Sequence, residues 1–130
     1  MLHQDLCDIA RACCKAAQIL HDAGIVHRDL RQENVVCLAR ARWMVIDLEH
    51  AAKTDQVVQS NYKLIAWDDN TLDRQGQQHI YTRRSDMYLI GCLLAKVGAT
   101  SMPPQAQQFV DRLKAKSLSA ADALSDPWLQ

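Results

Sequence analysis

Asp29, Asn34 and Asp47 are the residues of this 130-residue chain whose types and spacing best suit chemistry. Asp29 lies within His27-Arg28-Asp29-Leu30-Arg31-Gln32-Glu33-Asn34, and Asp47 follows Asn34 by thirteen residues in Ile46-Asp47-Leu48-Glu49. A carboxylate can orient a hydroxyl or take its proton. Carboxylate and amide oxygens together are ligands that a hard divalent cation accepts.

These residues need elements to bring them together. Leu6, Ile9, Cys13, Ala16 or Ala17, and Leu20 recur at spacings of three and four, which predicts a helix over residues 5–23. Gly24 suits the position after its end, where a positive φ is needed. Residues 25–26 read as a very short strand. Residues 35–38 and 43–46 read as two strands of a hairpin, rich in β-branched and aromatic side chains, although nothing in 39–42 is a strong turn former. The hairpin would fold Asp47 back toward Asn34. From 51 to 84 the chain is polar and poorly periodic, and a stretch of that length is more often functional than accidental. Ser85 or Asp86 can cap a helix that runs to about Val97. Two more helices follow, at about 105–116 and 119–125, the last stopped by Pro127. The expected fold class is mostly α with a small β hairpin.

Composition narrows the functional classes. Apolar residues make up 48% of the chain, enough for a core, and 15 basic side chains balance 15 acidic ones. Nucleic acid and anionic membranes therefore have no electrostatic claim as partners. The longest apolar run, within 87–97, is too short to span a bilayer, and no leader peptide is evident. The five cysteines are odd in number and lack zinc spacing, so they read as reduced thiols of a cytoplasmic protein.

The segment 27–34 matches the H-R-D-x-x-x-x-N catalytic loop of protein kinases, and Asp47-Leu48-Glu49 stands where those enzymes carry D-F-G. Ser85-Asp-Met-Tyr-Leu-Ile-Gly-Cys-Leu-Leu94 resembles their central helix, and 117–129 resembles their closing segment. The chain is thus similar to the C-terminal lobe of the protein kinase-like fold. The resemblance implies one domain over 1–130, with a catalytic loop at 27–34, a D-F-G-like turn at 47–49, an activation segment at about 47–84 and a central helix at about 86–97.

The resemblance also implies roles. Asp29 would be the catalytic base, facing an open cleft. Asn34 and Asp47 would hold Mg2+, Arg31 would touch the transferred phosphate, and Val36 would lie under the adenine of ATP. His27 and Leu48 would stack in an internal spine anchored on Asp86, and Asp86 would accept hydrogen bonds from the catalytic-loop backbone. Arg28 would clamp a phosphorylated activation segment, with Thr54, Ser60, Tyr62 and Thr71 as open choices. His3, His21, His50 and His79 read as surface or packing residues.

The departures are as informative. No G-x-G-x-x-G and no V-A-I-K strand occurs, and no glycine precedes Gly24. Glu49 replaces a glycine, no A-P-E follows, and the link at 98–104 is too short for the helix expected there. The expectation is a truncated kinase domain, the N-terminal lobe absent. Its ancestral reaction is Mg-ATP-dependent phosphoryl transfer to a Ser, Thr or Tyr hydroxyl of a protein, and the isolated chain is inactive. The rival expectation is a non-catalytic, pseudokinase-like module that docks a partner protein. The oligomeric state is not legible.

Overall fold

A computed structural model describes residues 3–130. Its helices are α1 (His3–Asp22), α2 (Arg83–Val97), α3 (Pro104–Lys114) and α4 (Ala120–Leu124). Its strands are β1 (Ile25–Val26), β2 (Val35–Ala39), β3 (Arg42–Val45), β4 (Ala52–Lys53), β5 (Gln56–Val57), β6 (Asp73–Gln75) and β7 (Gln78–Tyr81).

The apolar face of α1 is the one its periodicity marks. Leu6, Ile9, Ala10, Cys13, Cys14 and Ala17 are all buried. Burial pushes the Cys13 thiol up to about 12, so it behaves as a small apolar side chain. Gly24 follows the helix at φ +76°, a conformation that costs a glycine little.

The center of the domain is α2. Every residue from Ser85 to Gly91 is buried, so this helix is enclosed rather than amphipathic. It starts earlier than the sequence suggests. Thr82 is the cap, its N–H donating to Ser85 Oγ at 3.1 Å, while Ser85 and Asp86 lie inside the helix. α3 crosses close to Gly91, where a Cβ would come within 2.9 Å of Lys114 Cγ and 3.0 Å of the Leu113 Cβ. Pro104 opens α3, a position where its missing N–H costs nothing. Ser119 caps α4, and Asp126 accepts from the N–H of Trp128 at 2.9 Å to start the closing turn.

The strands form three small antiparallel sheets: β1 with β4, β2 with β3, and β7 between β5 and β6. The hairpin is present as expected, with Val35 opposite Val45 and Val36 opposite Met44. Its turn uses Ala41 at φ +59°. The polar stretch before α2 is not structureless: it carries β4 to β7. These strands are two to four residues long, and most of their side chains are exposed, so no alternation marks them. Lys116 fastens this region to the end of α3 through Asp73, at 2.7 Å.

Candidate active site

The catalytic loop hangs from one buried carboxylate. Asp86 is fully buried and accepts from the N–H of His27 at 2.9 Å and of Arg28 at 3.1 Å. Its position below the loop is the one the sequence led us to expect. Two further donors complete it: His21 Nε2 at 2.8 Å and the Tyr81 hydroxyl. Burial, then the charge of Asp86, pushes the Tyr81 phenol far above its ordinary range, so it stays a donor. The bonds from Asp86 to the backbone hold Arg28 at φ +75°, a region that costs a side-chain-bearing residue energy unless its surroundings enforce it.

His27 has both ring nitrogens engaged. Nδ1 accepts from the N–H of Asp29 at 3.1 Å, which leaves Nε2 to donate to the Ile46 carbonyl at 3.0 Å. One ring therefore joins the catalytic loop to the end of β3. Arg28 turns the other way. Its Nε donates to the His50 carbonyl at 2.6 Å, its guanidinium lies 5.3 Å from the Tyr62 ring centroid, and its carbonyl accepts from Trp67 Nε1 at 2.7 Å. Trp67 contacts Tyr62 edge-on at 5.5 Å and stacks on Tyr81 at 5.2 Å. An aromatic column thus links Arg28 to the Asp86 anchor.

Asp29 does not face an open cleft. The residue is 4% exposed, and its carboxylate is held on both oxygens. Arg31 Nε donates to Oδ1 at 3.1 Å, and Asn34 Nδ2 donates to Oδ2 at 2.9 Å. Asn34 Nδ2 also donates to the Asp29 carbonyl at 2.9 Å, so only Asn34 Oδ1 remains available as a ligand. Arg31 Nη1 reaches Glu33 at 3.2 Å as well.

The hairpin brings the third residue in. The N–H of Ile46 donates to the Asn34 carbonyl at 2.8 Å, which places Asp47 one residue beyond Asn34's backbone partner. Asp47 is exposed at φ +66°, and its Oδ1 accepts from the N–H of Glu49 at 3.2 Å. Val36 is half-buried, opposite Met44.

A second expectation fails at Leu48. It is 58% exposed rather than enclosed in an internal stack, and it follows Asp47 at φ +66°. Among the described residues no three His, Cys, Asp or Glu side chains gather as a metal site. Asn34 Oδ1 and the Asp47 carboxylate are oxygen donors of the kind that Mg2+ accepts, and that ion usually takes one or two protein ligands and fills its shell with phosphate and water.

Sequence reasoning missed His21 and Tyr81 as partners of Asp86. His21 was read as a surface or packing residue; it is buried, and its ring meets Asp86. A separate concavity of about 600 Å3 lies between the ends of α1, α2 and α4. Three of its charged groups are engaged elsewhere: Arg83 with the His21 carbonyl, Lys116 with Asp73, and Asp122 with the N–H of Ser119.

A buried aspartate under an H-R-D loop, a hairpin, and an enclosed central helix define the C-terminal lobe of a protein kinase-like fold. The chain belongs to the protein kinase domain family, whose model matches residues 1–128. It is 26% identical over 125 residues to the mitogen-activated protein kinase kinase kinase bck1 of Aspergillus fumigatus, a match that covers 91% of this chain and 8% of that protein. It is 28% identical over 100 residues to the serine/threonine-protein kinase PknB of Mycolicibacterium smegmatis, covering 75% of this chain and 16% of that protein. Mitogen-activated protein kinase 14 of Xenopus laevis is 26% identical over 102 residues, which cover 77% of this chain and 27% of that protein. Among solved structures, the ROP18 kinase domain in complex with AMP-PNP and sucrose superposes with a TM-score of 0.70 at 15% identity, covering 92% of this chain and 39% of that one. The chain therefore spans only a minor part of the kinases it matches. Among the described residues no helix is long and apolar enough to cross a membrane.

Proposed function

We propose that this chain is a segment of a protein kinase domain whose ancestral reaction transfers the ATP γ-phosphoryl group to a Ser, Thr or Tyr hydroxyl of a protein. Asp29 orients that hydroxyl, Asn34 and Asp47 hold Mg2+, Val36 lies against the adenine, and Arg31 meets the transferred phosphate. Mg2+, when bound, neutralizes charge on the phosphates. The observation that carries this reading is the pair of bonds from Asn34 Nδ2 to Asp29, which aims Asn34 Oδ1 away from the acid. Through its Nε contact Arg31 also neutralizes the buried acid.

Taken alone, the 130 residues are proposed to be inactive. None of their four glycines forms a G-x-G-x-x-G phosphate cover, and phosphoryl transfer rests almost entirely on positioning and electrostatics. Five unpaired thiols support a cytoplasmic setting. Calorimetric titration with Mg-ATP tests the half-site. Binding weaker than low micromolar is expected, and a dissociation constant near 1 µM, about −8 kcal/mol, contradicts it.

A second reading is a non-catalytic module of the pseudokinase kind that docks a partner protein. The exposed Leu48 favors it, since that side chain takes no part in an internal stack.

A further inference from the structure

The cavity of about 600 Å3 at the end of α1 meets the Asp86 network through one ring. None of its wall residues belongs to the catalytic loop or to the β2–β3 hairpin. His21 is 6% exposed, and it lines this cavity. Asp86 accepts from the N–H groups of His27 and Arg28 and from the Tyr81 hydroxyl, and His21 Nε2 donates to it as well. That fixes the tautomer, so in the neutral ring Nδ1 is a bare lone pair. Nδ1 has no hydrogen-bond partner among the described residues. Nor is it sealed off, for Trp43 Nε1 is the sole buried side-chain atom without a partner among those residues. An enclosed ring thus keeps one unpaired polar atom open to the cavity.

The walls carry both signs of charge. Arg83, Arg84 and Lys116 stand against Asp22 and Asp122. Lys116 is held by Asp73 at 2.7 Å, and Asp122 by the N–H of Ser119 at 3.2 Å. Arg83 is fixed beside His21: its Nε and Nη2 both donate to the His21 carbonyl at 3.2 Å, which leaves Nη1 for a ligand. Arg84 is exposed and joins no ion pair among the described residues, although the charge of Asp73 is within its reach. Asp22, next to His21 in α1, opposes an anion and keeps its affinity modest.

We propose that this cavity binds a phosphate group that still carries an O–H. Its charged oxygens accept from Arg83 Nη1 and Arg84, as guanidinium groups favor, and its hydroxyl donates to His21 Nδ1. One proton then lies between ligand and ring. Inorganic phosphate brings that proton itself, because each of its species near neutral pH keeps an O–H. Sulfate brings none and must draw it from solution. A donor at Nδ1 polarizes the ring and strengthens the bond from Nε2 to Asp86. Occupancy is therefore felt by the carboxylate that holds the N–H groups of His27 and Arg28. Neither Asn34 nor Asp47 takes part, so the site stands or falls separately from the phosphoryl-transfer reading.

NMR titration of the 130-residue chain with inorganic phosphate near neutral pH, ionic strength held with sodium chloride, tests the proposal. Saturable shifts are expected at Arg83, Arg84 and the His21 ring, with smaller ones at the N–H groups of His27 and Arg28. Sulfate is expected to bind about tenfold more weakly, and to weaken by up to about tenfold more per pH unit as the pH rises, since its complex takes up one proton. Arg84→Glu weakens phosphate binding about tenfold or more. Arg74→Glu, an equal charge change at an exposed arginine outside the cavity, leaves it unchanged. His21→Gln keeps a donor for Asp86 but has no Nδ1, so the preference for phosphate over sulfate and the shifts at His27 and Arg28 disappear. Circular dichroism and thermal melts establish that each variant is folded. If His21→Gln does not fold, Arg84→Glu and the sulfate comparison carry the test. O-phosphoserine, titrated at about pH 6 where the ester keeps part of its O–H, distinguishes the source. Binding tighter than inorganic phosphate points to a phosphorylated side chain, and weaker binding to free phosphate. The proposal is overturned if no saturable shift occurs at these residues up to about 50 mM phosphate. Sulfate binding equal to phosphate, or phosphate binding that survives Arg84→Glu, overturns it as well.

Discussion

Asn34 donates from one side-chain nitrogen to two oxygens of Asp29, the carbonyl and Oδ2, each at 2.9 Å. The pair is buried, so its bonds are not easily replaced by water. Asp29 is therefore both the candidate acid–base group and a structural link within its loop.

Removing Asn34 leaves a buried carboxylate short of a donor. Asn34→Ala is expected to lower stability by about 1–3 kcal/mol. Asn34→Asp is expected to cost more, since it replaces the donor with a second carboxylate. Urea denaturation of the two variants at pH 7 measures both; an Asn34→Asp variant as stable as the parent contradicts the hydrogen-bond assignment.

Asp86 serves four donors where Asp29 serves two side chains. Asp86→Ala strips a buried carboxylate from His21, Tyr81 and two backbone N–H groups, and a loss of about 3–5 kcal/mol is expected. Asp29→Ala, held by Arg31 and Asn34, is expected to cost about 1–3 kcal/mol rather than nothing. Thermal melts in metal-free buffer should rank Asp86→Ala below Asp29→Ala. The reverse order contradicts the anchoring role of Asp86.

Two of the three tryptophans offer a controlled comparison. Trp67 Nε1 donates to the Arg28 carbonyl at 2.7 Å, whereas Trp43 Nε1 is buried without a partner. Each change to Phe removes similar volume. Trp67→Phe also loses a bond worth about 1 kcal/mol, while Trp43→Phe removes an unpaired donor that itself costs about 1–3 kcal/mol. Trp67→Phe should thus be clearly the less stable variant by denaturant midpoint. Equal losses contradict the assignment.

Asp73 gives a pH dependence. Partial burial pushes its carboxyl up, but hydrogen bonds from Lys116 and Thr82, with the charges of Lys116 and Arg84, outweigh this and hold it below its usual range. A depressed pKa stabilizes the fold above the unfolded value, near 3.9, and that share is lost as pH falls through the folded value. Asp73→Asn should flatten the acid side of the stability profile below about pH 4. An unchanged slope would show that the Lys116 link contributes nothing.

The sequence made some parts of this molecule legible for physical reasons. The burial of α1 follows from its three- and four-residue spacing, and the contact of Asn34 with Asp29 follows from the short interval between them. Other parts depend on remote partners. Gln56 is a strand residue only because it meets Tyr81, and nothing around it signals that. His21 finds Asp86 across 65 residues. Ser85 and Asp86 look like caps because they are small and polar, yet both are buried inside α2, one bonded to Thr82 and the other to the loop. Asp29 is buried and bonded by Arg31 and Asn34, partners that its residue type alone does not reveal.

Asn34 and Asp47 are the oxygen half-site proposed for a divalent cation on a nucleotide. Mn2+ can stand in for Mg2+ as a paramagnetic probe. In the presence of millimolar ATP, it should broaden the backbone amide signals of Asn34, Val36 and Asp47 first, and Asp47→Ala should abolish that selectivity. Broadening centered instead on another acidic region, such as Asp68 to Asp73, or left intact by Asp47→Ala, contradicts the account.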